Sequence, residues 1–255
     1  MKAILSDMDG VLYRGKTLLP GAASFVNRLH EHKIPFLFLT NNSEQTATDL
    51  VKRLASLGLT GLQEENFLTS AMATARFLAS QKPAAGCYVI GGSGLVNELK
   101  KEGLTITETQ PDYVVVGKTA EFDYAMLRTA ARLIARGAKF IGTNPDLIDP
   151  IEEGFEPAAG SLLAALTAAT GKKPYIIGKP NALMMLIARK ILASHASTTV
   201  MIGDRMDTDI VAGLEAGMTT CLVLSGVSTR HSLDEFPYKP DYIFESLADL
   251  DPRLL

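Results

Sequence analysis

"ILSDMDGVLYRG", residues 4–15, follows an apolar run at the start of the chain with two carboxylates, Asp7 and Asp9, one residue apart, and then a glycine. Like charges that close repel, so either solvent screens them in a surface turn or a cation is shared between them. Residues two apart in an extended chain point the same way, which would aim both carboxylates at one place. Gly10 then lets the backbone turn sharply. A calcium loop of the EF-hand type does not fit, because counting from Asp7 puts Leu12 where glycine is required and Leu18 where the bidentate glutamate is required.

Working outward, "AILS" (3–6) leads to a helix expected over Ala22 to His32, then "PFLFLT" (35–40), then a helix from Glu44 to Leu57. In the second helix Ala47, Leu50, Val51, Leu54 and Leu57 share one face, Ser43 is the expected N-cap and Gly58 the expected stop. Further strand-like runs are "CYVIGG" (87–92), "YVVVG" (113–117), "KFIGT" (139–143), "YIIGK" (175–179), "VMIGD" (200–204) and "TCLVLSG" (220–226). Such runs alternating with helical patterns predict an α/β fold, a doubly wound parallel sheet covered on both faces. Ligands bind such sheets at the carboxyl ends of the strands. The small-residue, proline-containing segments "ASQKPAAG" (79–86) and "ATGKKP" (169–174) read as crossings between domains. The expected organisation is a core of residues 1–81 and 174–255 with residues 82–173 inserted as a smaller α/β domain.

Composition narrows the function. At 255 residues and 47% hydrophobic content the chain can bury a large core. Its 25 Lys and Arg against 28 Asp and Glu leave a net charge of -3, and no basic run tracks a phosphate backbone, which argues against a nucleic-acid partner. Cys87 and Cys221 lie in strand-like runs, where an unpaired thiol acts as a small buried hydrophobe, and this suits a reducing compartment. No long apolar region precedes Asp7, and no apolar run approaches a membrane span. The expectation is a soluble, cytoplasmic protein with no membrane partner; nothing in the sequence fixes an oligomeric state. The four histidines, His30, His32, His195 and His231, lie away from every motif and read as structural or surface residues.

A second acidic cluster, "VMIGDRMDTDI", repeats the pattern of an apolar strand followed by carboxylates: Asp204, Asp207 and Asp209. An acid near a helix start meets the helix dipole, which accounts for Asp207 but not for Asp204 at the strand end. Three carboxylates on parallel strand ends would repel strongly if bare and call for a hard divalent cation with oxygen ligands, and Mg²⁺ is the expected one. "FLTNNS" places Thr40, Asn41 and Asn42 at another strand end, either as an ordinary turn or as an anion cradle of hydroxyl and N–H groups near a helix N-terminus. "YIIGKPN" places Lys179 at a further strand end, unless it is a solvated loop residue.

The ordered set "DMDGVL", "LTNNS", "GKP" and "GDRMDTD" resembles the four motifs of the haloacid dehalogenase-like (HAD) superfamily, in its NagD-type branch of phosphatases with an α/β cap between the second and third motifs. The segments "VIGGSGL" and "GTNPD" resemble cap segments of that branch. The resemblance implies a Rossmann-like core and a Mg²⁺-dependent phosphatase of small phosphorylated metabolites, such as nucleoside monophosphates or sugar phosphates. It implies Asp7 as nucleophile and Asp9 as acid/base, with Thr40 and Lys179 binding phosphate alongside Asn41, Asn42 and the N–H groups after Thr40. It further implies a metal site of Asp7, Asp204 and the Asp9 carbonyl, supported by Asp209.

Substrate choice is expected in the insert. There Asn144 to Gly160 ("NPDLIDPIEEGFEPAAG") shows little regular pattern and carries Asp146, Asp149, Glu152, Glu153 and Glu156 with no Lys or Arg. Related sequences often have an arginine near Glu153, so this chain departs from them. The segment is either a solvated acidic loop or, facing a cleft, one that disfavours bisphosphates. Two rival functions are a receiver-type phosphoacceptor, in which Asp9 would have no role, and a non-catalytic phosphometabolite-binding protein.

Overall fold

The structure, a computed structural model, describes residues 2–151 and 154–253. Two compact units divide the chain. The first comprises Met1–Thr40, Ala47–Leu68 and Lys179–Leu255, and the second Asn41–Thr46 and Thr69–Gly178. This division groups the Ser70–Gln81 helix and the Tyr175–Ile176 strand with the second unit.

A six-stranded sheet forms the first unit, in the order Tyr242–Phe244, Thr219–Val223, Thr199–Gly203, Ala3–Ser6, Phe36–Thr40 and Phe67–Thr69. Ala3–Ser6 pairs in parallel with Thr199–Gly203 on one side and Phe36–Thr40 on the other, Ser6 standing opposite both Ile202 and Phe38. The chain thus winds away from its first strand in both directions, and ligands bind beside that reversal, beyond the carboxyl ends of the strands. Both faces are covered, so Ala3, Ile4 and Leu5 are all buried instead of alternating. Each large apolar side chain so buried contributes about 1.5–3 kcal/mol. Helix Ala22–Glu31 buries Ala22, Phe25, Val26 and Leu29, and helix Ala47–Ser56 buries Ala47, Leu50 and Leu54, the helical spacing the sequence predicts.

The second helix begins three residues later than expected, and Ser43 does not cap it. Asn42 Oδ1 instead accepts from the N–H groups of Glu44 and Gln45, at 2.8 and 3.1 Å, and this local turn takes the place of the first helical turn.

The second unit holds a five-stranded parallel sheet in the order Tyr175–Ile176, Lys139–Gly142, Tyr113–Val116, Gly86–Ile90 and Thr105–Ile106. Helices Tyr124–Ala135 and Ala159–Thr170 close one core against it through Ile134, Leu163 and Leu166 packed with Ile90, Val114 and Val116. Two expectations are corrected here. The run "YIIGK" supplies a strand to this sheet, pairing with Ile141 and Gly142, so Lys179 ends no strand of the first unit. It stands where the chain re-enters that unit, ahead of helix Ala182–Ile191, which Asn181 caps through Oδ1. The segment Asn144 to Gly160 is not irregular: Ile148–Ile151 and Gly154–Pro157 form an antiparallel hairpin. Glu152 and Glu153 lie outside the described residues.

Among the described residues no helix is long and apolar enough to cross a membrane. Cys87 and Cys221 are free and fully buried, as their strand positions predict.

Candidate active site

Asp7 extends the parallel ladder one residue past its strand, its N–H donating to the Ile202 carbonyl at 2.8 Å. The chain then curls tightly, with the N–H groups of Val11, Leu12 and Tyr13 all directed at the Met8 carbonyl. The extended geometry that would point Asp7 and Asp9 the same way therefore stops at Ser6; a turn positions them instead. Asp7 is largely enclosed, its side chain 13% exposed, whereas Asp9 is exposed. Asp9 remains close enough that its charge and that of Asp7 both raise the Tyr13 hydroxyl, after the larger effect of burial.

Asp204 follows the neighbouring strand. Its Oδ2 accepts from the Val227 N–H at 2.7 Å, and its carbonyl accepts from the Ser228 N–H at 3.0 Å. Glycines make the room: a side chain at Gly226, or at Gly10 with its φ of +76°, would overlap the Asp204 carboxylate. Asp209 is carried inward by a five-residue π turn, Met206–Ile210, a distortion that recurs at functional sites. Its Oδ2 accepts from the Arg205 N–H at 3.2 Å. Asp207 points elsewhere and pairs with the Arg205 guanidinium through two bonds of 3.0 and 2.8 Å.

Lys179 joins the cluster. Its Nζ donates to Asp7 Oδ1 at 2.6 Å and to Asp209 Oδ1 at 2.7 Å, with the side chain only 3% exposed. Burial works against this charge, but Asp209 and Asp7 outweigh it and hold the ammonium well above its ordinary range. For Asp204, burial first and then the charges of Asp7 and Asp209 push the carboxyl up to about 8. Burial also lifts Asp209, to about 6, against the opposing pull of Lys179. One ammonium is thus too little positive charge for three gathered carboxylates.

Oxygens of Asp7, Asp204 and Asp209 lie within 4.8 Å of one another, and Asp204 Oδ1 is buried with no hydrogen-bond partner. A buried, unpartnered carboxylate oxygen inside an all-oxygen cluster is what a hard divalent cation needs, so these residues fit Mg²⁺. The Asp9 carboxylate is not part of this group.

Thr40, half-buried, ends the strand on the other side of Ala3–Ser6. The next two residues group with the second unit, and their side chains are engaged there. Asn41 Nδ2 donates to Asp146 Oδ2 at 2.9 Å, while the Asn41 carbonyl accepts from Ser70 Oγ and Asn144 Nδ2. Asn42 Oδ1 takes the N–H groups of Glu44 and Gln45. Sequence reasoning missed the Val227 N–H and Gly226; the glycine closing "TCLVLSG" was the available signal. It also missed Lys118, whose Nζ lies 2.6 Å from Asp149 and 2.5 Å from Glu156.

The haloacid dehalogenase-like hydrolase family matches residues 4–105, and a HAD-hydrolase-like family matches residues 176–250. The chain is 46% identical over 246 residues to the dihydroxyacetone phosphatase of Corynebacterium glutamicum, covering 96% of this chain and 89% of that protein. It is 41% identical over 251 residues to the ribonucleotide monophosphatase NagD of Escherichia coli, covering 98% of each. The solved structure of NagD from E. coli superposes with a TM-score of 0.94, again at 41% identity and 98% coverage of each chain.

Proposed function

The chain belongs to the haloacid dehalogenase-like hydrolases and is a phosphatase of phosphate monoesters, and from that premise we propose a Mg²⁺-dependent enzyme that works through an aspartyl-phosphate on Asp7. The observation that carries this reading is the enclosed group of Asp7, Asp204 and Asp209 with Lys179 bridging two of them and one Asp204 oxygen left without a partner.

Phosphate monoesters hydrolyse so slowly in water that a catalyst must lower the barrier by on the order of 20 kcal/mol. Asp7 divides that barrier. Its carboxylate attacks phosphorus and the P–O bond to the leaving group breaks, giving an acyl phosphate and an alcohol. Asp9, exposed and outside the carboxylate cluster, gives its proton to the departing oxygen. It then takes a proton from the water that attacks the phosphoryl group, releasing inorganic phosphate and restoring Asp7. Lys179 places a full positive charge beside the oxygen of Asp7, where anionic phosphoryl oxygens must crowd in, and Asp209 holds that ammonium in place. In this reading Thr40 offers its hydroxyl to the phosphate, and Asn41 and Asn42 directly following it offer backbone N–H groups, the Asn41 side-chain amide nitrogen and the Asn42 side-chain amide oxygen being engaged elsewhere. Mg²⁺, held by Asp7, Asp204 and the Asp9 carbonyl with Asp209 in support, would neutralise the phosphoryl charge during the displacement.

The second unit, the insert that the sequence places at 82–173, selects the leaving group in this reading. Its Asn144 to Gly160 segment begins beyond the carboxyl end of the Lys139–Gly142 strand, the end at which parallel sheets bind ligands. Small monophosphates with neutral leaving groups, nucleosides or sugars, are the proposed substrates. The test is phosphate release from p-nitrophenyl phosphate and from a panel of metabolite monophosphates. Hydrolysis should require Mg²⁺, stop with EDTA and be absent in Asp7→Asn. Rapid quench with peptide mass mapping should find a phosphoryl adduct on Asp7. Stoichiometric labelling of Asp7 without turnover would favour a phosphoacceptor instead.

A further inference from the structure

In the hairpin Ile148–Ile151 and Gly154–Pro157, Asp149 stands directly opposite Glu156 and Ile148 opposite Pro157. Successive residues alternate between faces, so one face carries both acids and the other carries Ile148 and Phe155. Like charges directly opposite each other destabilise a strand pair, and an isolated two-stranded hairpin is marginal even without them. Lys118 answers both problems. Its Nζ donates to Asp149 Oδ2 at 2.6 Å and Glu156 Oε1 at 2.5 Å, and Glu44 Oε2 lies 3.7 Å away.

The lysine is itself rooted. Its N–H donates to Ser43 Oγ at 3.3 Å and its carbonyl accepts from the Gly92 N–H at 3.2 Å. A Cβ at the preceding Gly117 would come within 2.6 Å of Ser43 Oγ, so the close approach depends on glycine. The Lys118 side chain is 15% exposed, whereas Ile148 and Phe155 on the opposite face of the hairpin are 52% and 66% exposed. Burial opposes the Lys118 charge, but the bonds from Asp149 and Glu156 hold its ammonium well above the ordinary range, so it stays cationic.

We propose that Lys118 is a positioning residue, the enclosed cation that pins the acidic face of the hairpin and thereby fixes the orientation in which the Ile148 and Phe155 face is presented for substrate discrimination. The inference rests on the reading that the second unit selects the leaving group. It adds a residue that touches neither the reacting atoms nor the substrate.

Hydrogen-exchange mass spectrometry and steady-state kinetics on the full-length, magnesium-loaded protein test it. Lys118→Met keeps the stem and removes the charge. Amides of the hairpin should then exchange roughly tenfold faster or more, the factor that corresponds to losing a charge-assisted hydrogen bond. KM for a nucleoside 5′-monophosphate should rise severalfold while kcat stays within about twofold. The inhibition constant of inorganic phosphate, which has no leaving group, should not move. Lys118→Arg should restore both exchange rates and KM, since a guanidinium can reach two carboxylates. Adding Asp149→Asn and Glu156→Gln to Lys118→Met should restore slow exchange by removing the repulsion. Unchanged exchange in Lys118→Met overturns the pinning role, and fast exchange with an unmoved KM overturns the link to substrate choice. Failure of the underlying reading looks different: the unaltered protein would then show the same KM for nucleoside, sugar and p-nitrophenyl monophosphates.

Discussion

Lys179 and Asp209 meet at 2.7 Å in a place where neither sees solvent, the lysine side chain 3% and the aspartate 0% exposed. Removing one partner of a buried ion pair leaves the other charge uncompensated, which typically costs about 3–5 kcal/mol. Lys179→Met should therefore lower stability by that order, measured by urea unfolding. It should also lower kcat on p-nitrophenyl phosphate by on the order of 10²-fold or more. Asp209→Asn retains a hydrogen-bond acceptor and should be milder in stability, with an activity loss of about 10- to 100-fold. Equal, small losses in both variants would show that the pair does not hold together the environment of Asp7, the proposed nucleophile.

The metal-free protein should lose stability as pH rises. Asp204 and Asp209 release their protons at about 8 and about 6 in the folded state, against an ordinary 3.8. Between about pH 4 and pH 8 the folded chain therefore holds protons that the unfolded chain has given up, and raising the pH favours unfolding over that window. The melting temperature in EDTA should fall across it, and Mg²⁺ should reverse the fall. Asp204→Asn should flatten the slope in EDTA and raise the melting temperature at the alkaline end, while abolishing Mg²⁺-dependent turnover. A pH-independent melting temperature in EDTA would contradict the crowded-carboxylate picture.

Gly226→Ala should injure the proposed Mg²⁺ site. Its Cβ would overlap the Asp204 carboxylate, so either that side chain rotates or the loop from Ser225 to Ser228 shifts. Overpacking of this kind costs about 1–3 kcal/mol. The half-saturating Mg²⁺ concentration for activity should rise by roughly tenfold or more. Titration of phosphate release against Mg²⁺ reads it directly, and an unchanged curve would mean that Asp204 is not a ligand.

Both thiols should be silent in the native protein. Burial pushes Cys87 up to about 11, with a smaller contribution from Asp112, and Cys221 up to about 12. Neither forms a useful thiolate at neutral pH. Ellman's reagent should find no reactive thiol in the folded chain and both in urea; a fast-reacting native thiol would show that one of the strands opens.

Some of this architecture is written locally and some is not. Ala3–Ser6 falls where the sequence puts it, because a short β-rich run bounded by charge and glycine has one reading. Asp7 and Asp204 come together because each directly follows one of two paired strands. Phe67–Thr69 and Tyr242–Phe244 are three residues each, too short to show any period. The strand "YIIGK" was legible as a strand, but its sheet was not, since only tertiary pairing decides whether Tyr175 joins Ile141 or the other unit. The hairpin was hidden because Pro150 and Pro157 interrupt the pattern of its strands. Lys118 reaches carboxylates 31 and 38 residues away, a distance set by how strands stack into a sheet and not by any neighbour in the sequence.

The chain passes from one unit to the other after Thr40, Thr46, Leu68 and Gly178. Anyone grafting the second unit of this protein onto another scaffold must therefore move two pieces. A transplant of residues 69–178 alone would carry off Ser70, Lys118, Asn144 and Asp146 and strand Asn41–Thr46 without the groups that order it. The hexapeptide belongs with the cassette, and chimaeras that include it should fold where those cut only at Thr69 and Gly178 should not.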